Sequence, residues 1–416
     1  MDASDDRENR VIRAIERARQ VTAHHPDLQR WSPLSDTRER LLRESRSSIE
    51  CLARACELYA ERAAFAELAE PEITTYARLW SRVEAAASGL RGERLADTRA
   101  LVGICGSGSV DWVVADLACL YLAAVSVPIP TSASPAELRS LIEERAFRCI
   151  VCSLARLEVL ASVLPGCPSV ASVVVIDVDA KDRSAVDTWE LARQTIEEEH
   201  GVRISVLRLS EVEQLGRRAG LVPYVEPAQR HLTEPDPLMT LMYAPESAGS
   251  PGLALFPESR WVELWCAASL DGAPRIPRVS VDYLPLDEMT ERAAVVRSIR
   301  EGGLTRFAGG RDLSTLFDDI QRTRPTTLTL SRRVSSMITR RFQSEVAKRS
   351  EARGVEVHDE ARAARIEREV VVEMRGSLLG DRLIYMTAAT GEISPNARDF
   401  LERCLEIPVF ELDLAD

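Results

Sequence analysis

Residues 238–255, LMTLMYAPESAGSPGLAL, decide how this chain is read. Leu238, Leu241 and Met242 carry the apolar content of a buried strand, and the run feeds directly into small residues and prolines. Residues 244–253 then have the outline of a phosphate loop, in which small side chains let backbone N–H groups close around an anion. Ser247, Gly249 and Ser250 are the candidate binding residues of that loop.

At 416 residues the chain is too long for one compact core, and two or three packed lobes are expected. Hydrophobic content of 45% with 28% charged residues describes a globular chain. A formal net charge of -12 argues against a nucleic-acid partner, which needs a local basic surface. Arg332, Arg333, Arg340, Arg341 and Lys348 crowd one helical stretch, and a solvated helix face accounts for them. The start, MDASDDRENR, is acidic and lacks the apolar core of a signal peptide, so a cytoplasmic protein is expected. Between Asp116 and Pro128 the apolar run is far shorter than the ~20 residues a bilayer requires, and it reads as a buried helix entering a strand.

Nine cysteines fit free thiols in a reducing compartment. Cys149 and Cys152 form a C-x-x-C inside a strand, where their odd separation turns them to opposite faces, so a redox or zinc pair is disfavoured. The five histidines, at 24, 25, 200, 231 and 358, fall in no metal or triad spacing.

In chain order the first ~60 residues read as helical, with a break at Trp31-Ser32-Pro33 and a second amphipathic run over 36–59. Tyr76, Leu79, Trp80, Val83, Ala86 and Leu90 recur at helical spacing. Strands are expected at 101–105, 124–128, 149–152, 173–176, 204–207 and 279–286, with helices at 186–200 and 292–300 and another opening at 312–317. That alternation is the rhythm of a layered α/β core with crossover helices. Gly103, Gly106 and Gly108 are spaced G-x-x-G-x-G, which is the wrong order for a dinucleotide fingerprint.

The loop at 244–253 resembles the T-S-G-S-T-G-T-P-K-G signature of the adenylate-forming acyl-activating enzymes. Flanking blocks resemble one branch of that family, the carboxylic acid reductases: Ser109-Val110-Asp111-Trp112, Ala124-Val125-Ser126-Val127-Pro128, Thr131-Ser132-Ala133, Asp312-Leu313-Ser314-Thr315-Leu316-Phe317, Arg324-Pro325-Thr326 and Gln343-Ser344-Glu345-Val346. These blocks fall in the family's order from about residue 50 onward. The resemblance implies an acyl-adenylate synthetase core with parallel and mixed sheets and crossover helices over residues 63–416, preceded by a helical segment over 1–62. It also implies a two-step chemistry, in which ATP and a carboxylate give an acyl-adenylate that a carrier thiol or CoA then accepts.

The departures from the family's pattern are concentrated at its working positions. Gly252 stands where the family has its loop lysine, Pro245 replaces a serine, and Glu246 replaces a glycine. Glu288 takes the place of the histidine that gates the acyl pocket; it and Asp287 are adjacent acids of a kind usually solvated on a loop. Thr390 and Gly391 fall in the adenine-flanking loop, where Glu392 enters the family's pattern. The chain is expected to end before the magnesium-holding glutamate, the lid and its catalytic lysine, and the carrier and reductase domains. The resulting expectation is an adenylation-type core with no residue in a catalytic role and no tightly bound cofactor. Its role would be to engage a carrier protein or a partner enzyme. A rival reading makes it half of a split ligase, which uses ATP or AMP and Mg on a fatty or aryl acid once a lid-bearing subunit is added.

Overall fold

A computed structural model describes residues 3–34, 42–68, 72–200, 204–225, 236–244, 252–266, 276–308, 313–354 and 360–412. Helix α1 (Ala3–His24) and a short 3-10 turn lead to α2 (Ser48–Leu58), β1 (Ala63–Glu67), β2 (Ile73–Thr75) and α3 (Tyr76–Gly92). An alternating run follows: β3 (Leu101–Cys105), α4 (Val110–Leu122), β4 (Val125–Ile129), α5 (Pro135–Arg145), β5 (Cys149–Ser153), α6 (Leu154–Val163) and β6 (Ser172–Ile176). It continues through α7 (Arg183–His200), β7 (Ser205–Arg208), α8 (Leu209–Ala219), β8 (Leu238–Ala244), β9 (Gly252–Pro257) and α9 (Glu258–Cys266). The last third holds β10 (Val279–Asp282), α10 (Met289–Glu301), β11 (Leu304–Phe307), α11 (Leu316–Thr323), β12 (Thr327–Thr329), α12 (Arg332–Ala352), α13 (Glu360–Ser377), β13 (Tyr385–Ala389), α14 (Pro395–Cys404) and β14 (Val409–Leu412).

The strands form two seven-stranded sheets, in the orders β14-β13-β12-β10-β11-β1-β2 and β7-β6-β5-β3-β4-β8-β9. Each is parallel except for one antiparallel edge pair, β1 with β2 and β8 with β9. Strands β4, β5 and β6 are buried at every position, as parallel strands covered on both faces must be. The largest apolar cluster lies between the sheets, where α3, α4, α8 and α10 bring Leu79, Val113, Val212 and Ile299 against Phe65, Ile104, Val151 and Phe307. Helices α5, α6 and α7 cover the far face of the second sheet through Leu138, Leu160 and Trp189. Helices α11 to α14 cover the far face of the first through Ile320, Ile338, Val370 and Leu401. The layered α/β architecture expected from the alternation is therefore the one formed.

Local chemistry explains the element boundaries. Ser109 caps α4 by accepting from the Trp112 amide at 3.0 Å, and Ala123 ends the helix in the left-handed region at φ 54. Pro135 at the first turn, with a Ser134/Glu137 capping box, starts α5. Two expectations change. The strand over 279–286 stops at Asp282, because the chain turns into a loop at 283–288 that carries Pro285, a residue with no ladder donor. Of the amphipathic run over 36–59, Ser48–Leu58 is helical behind a Ser47 cap, and 35–41 lie outside the described residues.

Helix α1 is bound to the first sheet: Ala14, Ala18 and Val21 pack with Ile384, Tyr385 and Phe410, Arg10 meets Glu402 at 2.7 Å, and Arg17 donates to the Leu383 carbonyl. The C-x-x-C residues separate as the strand geometry requires, Cys149 entering the core between the sheets and Cys152 the core on the other face.

Candidate functional site

The cleft is built where the carboxyl ends of β3, β4, β10 and β11 meet, since ligand crevices in α/β sheets form outside those ends. Its wall is the loop 283–288 between β10 and α10. Tyr283 ties that loop to the first sheet, donating to the Thr329 carbonyl at 2.7 Å and accepting from the Ser331 amide at 3.2 Å. Asp287 ties it to the second sheet, its Oδ2 accepting from the Thr131 amide at 2.7 Å. Asp287 is thus half-buried and bonded, which corrects its reading as a solvated acid. Burial pushes its carboxyl up and the Thr131 hydrogen bond opposes the shift.

Glu288 stands at the N-cap of α10, exposed and making no side-chain cap bond. Partial desolvation raises its carboxyl, and the charges of Asp287 and Glu392 raise it further. Thr390 and Gly391 form an exposed turn after β13, closed by the Glu392 amide donating to Ala389 O at 3.0 Å, with Gly391 at φ 77. Glu392 accepts from the Arg332 amide at 2.8 Å and so caps α12. The position read as the gating residue and the loop read as adenine-flanking therefore share one field, and both present acids to it. Ser247, Gly249 and Ser250 lie outside the described residues. Their loop leaves β8 and re-enters at β9, whose ends pair as Tyr243 with Leu253 and Ala244 with Gly252.

Sequence reading missed two acids. Asp282, at the end of β10, and Glu291, in the first turn of α10, are both buried, and among the described residues none donates to Asp282 Oδ1 or Glu291 Oε1. Burial raises both: Asp282 to about 7, and Glu291 well above the carboxylate range with Asp282 and Glu288 adding to its shift. Burial thus biases both carboxyls toward their protonated forms. The available signal was an acid closing an apolar strand, V-S-V-D, followed nine residues later by a second acid.

This arrangement fixes a pH dependence. Asp282 releases its proton near 3.8 when unfolded and near 7 when folded, so between those values the folded state holds more protons and stability falls as pH rises. Asp282→Asn, which mimics the neutral form, is expected to gain on the wild type across that window, up to roughly 4 kcal/mol above pH 7. Urea unfolding of both proteins at pH 4.5, 6 and 8 measures the gap; a constant gap would show that Asp282 is ionised throughout.

A cavity of about 260 Å³ opens beside Asp282, which lines it with Ser107, Gly108, Thr131, Arg156 and the apolar residues Leu284, Pro285 and Ala308, with Tyr283 on the same wall. Arg156 is held by Ala133 O at 2.6 Å. Together with the adjacent Cys152 thiol, whose hydrogen bond is the larger influence, it draws Cys105 down to about 7. Among the described residues no group of three or more His, Cys, Asp or Glu is placed to hold a metal ion, and no helix is long and apolar enough to cross a membrane.

Residues 52–412 match the model of the AMP-binding enzyme family. The carboxylic acid reductase of Mycobacterium tuberculosis is 30% identical over 335 residues, which is 80% of this chain and 27% of that protein. Its counterpart from Segniliparus rugosus is 31% identical over 351 residues, 81% of this chain and 28% of that protein. The chain therefore spans under a third of the length of these relatives. The solved adenylation domain of a carboxylate reductase from Mycobacterium chelonae superposes with a TM-score of 0.83 at 26% identity, over 99% of this chain and 63% of that one. The Segniliparus rugosus A domain, solved with AMP and a co-purified carboxylic acid, gives 0.81 at 25% identity, over 96% of this chain and 65% of that one. With the layered core, the cleft and these likenesses in agreement, the chain belongs to the AMP-binding enzyme family and is homologous to the adenylation domains of carboxylic acid reductases.

Proposed function

We propose that this chain is an adenylation-type core that works by binding and does not activate carboxylates with ATP on its own. The observation that carries the reading is the acid content of the cleft wall: Asp282, Asp287 and Glu288 within seven residues, with Glu392 facing Glu288. A triphosphate needs its charge neutralised at such a place. These residues do not fit it, and no step of an adenylation reaction is assigned to them.

The loop sequence supports the same reading. Gly252 in place of the loop lysine loses a charge-assisted donor worth about 1.5–3 kcal/mol. Glu246 beside a phosphate adds repulsion of about 1–4 kcal/mol at water-like to surface dielectric. Together they correspond to roughly a thousandfold loss of affinity or more. Titration calorimetry with ATP and magnesium is expected to show no binding in the micromolar range, and a micromolar isotherm would sink the reading.

A carrier protein is the partner class we favour, since one solved neighbour is the A-PCP didomain of a Segniliparus rugosus carboxylic acid reductase in complex with AMP. The intact layered scaffold also sustains the split-ligase reading, in which ATP or AMP and Mg bind after a lid-bearing subunit is supplied. ATP–pyrophosphate exchange that appears only on mixing the two polypeptides would select that reading.

A further inference from the structure

We propose that the cavity at the carboxyl ends of β3, β4, β10 and β11 binds a small primary alkylammonium, with Asp282 as its anchor. The proposal deepens the binding role given above, because it names the ligand class of the same cleft. Asp282 is 7% exposed, lines the cavity, and has an Oδ1 with no donor among the described residues. Glu291, 2% exposed and within the electrostatic reach of Asp282, also leaves Oε1 without a donor among the described residues. Buried acceptors are ordinarily satisfied, and an unpartnered carboxyl oxygen on a residue that lines a cavity marks a place where a donor is missing. An alkylammonium carries three N–H donors, no acceptor and a compensating charge. When it binds, the proton that burial favours on Asp282 leaves to solvent and the ammonium takes its place, so charge balances within the site.

The surroundings favour a cation with a short carbon chain. Asp287 and Glu288 extend the negative field along the loop, and Glu392 adds to it. Arg156 also lines the cavity; it donates to Ala133 O and to the Cys105 thiol, and its Nε has no partner among the described residues, so the ammonium is placed at Asp282 and away from the guanidinium. Ser107 and Thr131 are the hydroxyl-bearing residues of the lining, while Leu284, Pro285 and Ala308 give it apolar wall. A volume of about 260 Å³ suits a molecule smaller than those filling typical pockets of ~300–1,000 Å³. A divalent metal fits less well, because it requires several oxygen ligands converging on one point, and the described acids do not converge in threes.

The test is calorimetric titration of the full chain at pH 7 with butylamine, butyrate and 1-butanol, run in phosphate and in Tris. Butylamine is expected to bind at least about tenfold more tightly than either of the others. Its heats should differ between the buffers in the sense of proton release. Asp282→Asn should lower butylamine affinity by at least about tenfold and abolish the buffer difference, with urea unfolding confirming that the variant is folded. Butyrate or 1-butanol binding as tightly as butylamine, no butylamine binding at millimolar concentration, or an unchanged affinity in Asp282→Asn would each overturn the proposal. Because no nucleotide enters this experiment, its failure is separable from that of the ATP titration.

Discussion

Replacing Gly216 by alanine is expected to cost about 3 kcal/mol or more of stability, although alanine is the better helix former by ~1 kcal/mol. Helices α3 and α8 cross backbone to backbone at this point. A Cβ on Gly216 would lie 2.0 Å from Ala85 O and 2.7 Å from Gly89 N. One on Gly89 would lie 2.0 Å from Val212 O. Neither neighbour is a side-chain tip that can swing aside, so the helices would have to part. Parting would loosen Leu79, Ala86 and Leu90 from Leu209 and Val212 in the core between the sheets. It would also break the bridge from Arg82 on α3 to Glu213 on α8, at 2.8 Å. Gly376 is the control: it sits in α13, exposed, with nothing within 4 Å of its would-be Cβ. Gly376→Ala should stabilise by ~0.5–1 kcal/mol. Urea midpoints that move the same way for both substitutions would show that the α3–α8 crossing is looser than described.

The second large effect is expected at Arg292. Its Nη2 lies 2.5 Å from Asp116 Oδ1, 3.0 Å from Ser126 Oγ and 3.3 Å from Thr240 Oγ1, and the guanidinium rests over the Trp112 and Trp261 rings. This one side chain on α10 therefore pins α4, β4 and β8. Arg292→Met leaves Asp116 desolvated and unpaired, a loss of about 3–5 kcal/mol. Asp116→Asn in the same background should recover much of that, because it removes the orphaned charge. A double-mutant cycle in urea separates the pair from its surroundings, and strictly additive losses would mean the two groups are uncoupled.

The two effects differ in how visible they are from sequence. Arg292 sits in a helix whose existence periodicity announces, but a buried charge reads like a surface charge until its partner, 176 residues away, is placed beside it. Gly216 carries no signal of its own in the sequence, and only the facing Ala85 and Gly89 make it a contact. The strands were legible for the opposite reason: runs such as Val173-Val174-Val175-Ile176 carry their burial in their own composition. Asp287 was misjudged because adjacent acids on a loop are solvated by default, and the Thr131 amide that holds one of them belongs to the other sheet. Asp282 and Glu291 were hidden by the same gap, since the desolvation that defines them comes from elements far away in the chain.

The strand order also bears on how the polypeptide leaves the ribosome. All the strands of the sheet from β3 to β9 are contiguous in the chain, so that half can close as soon as residues 101–257 have been made. Strand β1 is synthesised before them, yet its parallel neighbour is β11, where Phe65 pairs with Thr305. The nascent β1–β2 hairpin must therefore wait, one edge unpaired, through some 240 residues of synthesis, a delay that parallel long-range pairing makes unavoidable and that exposes the intermediate to aggregation.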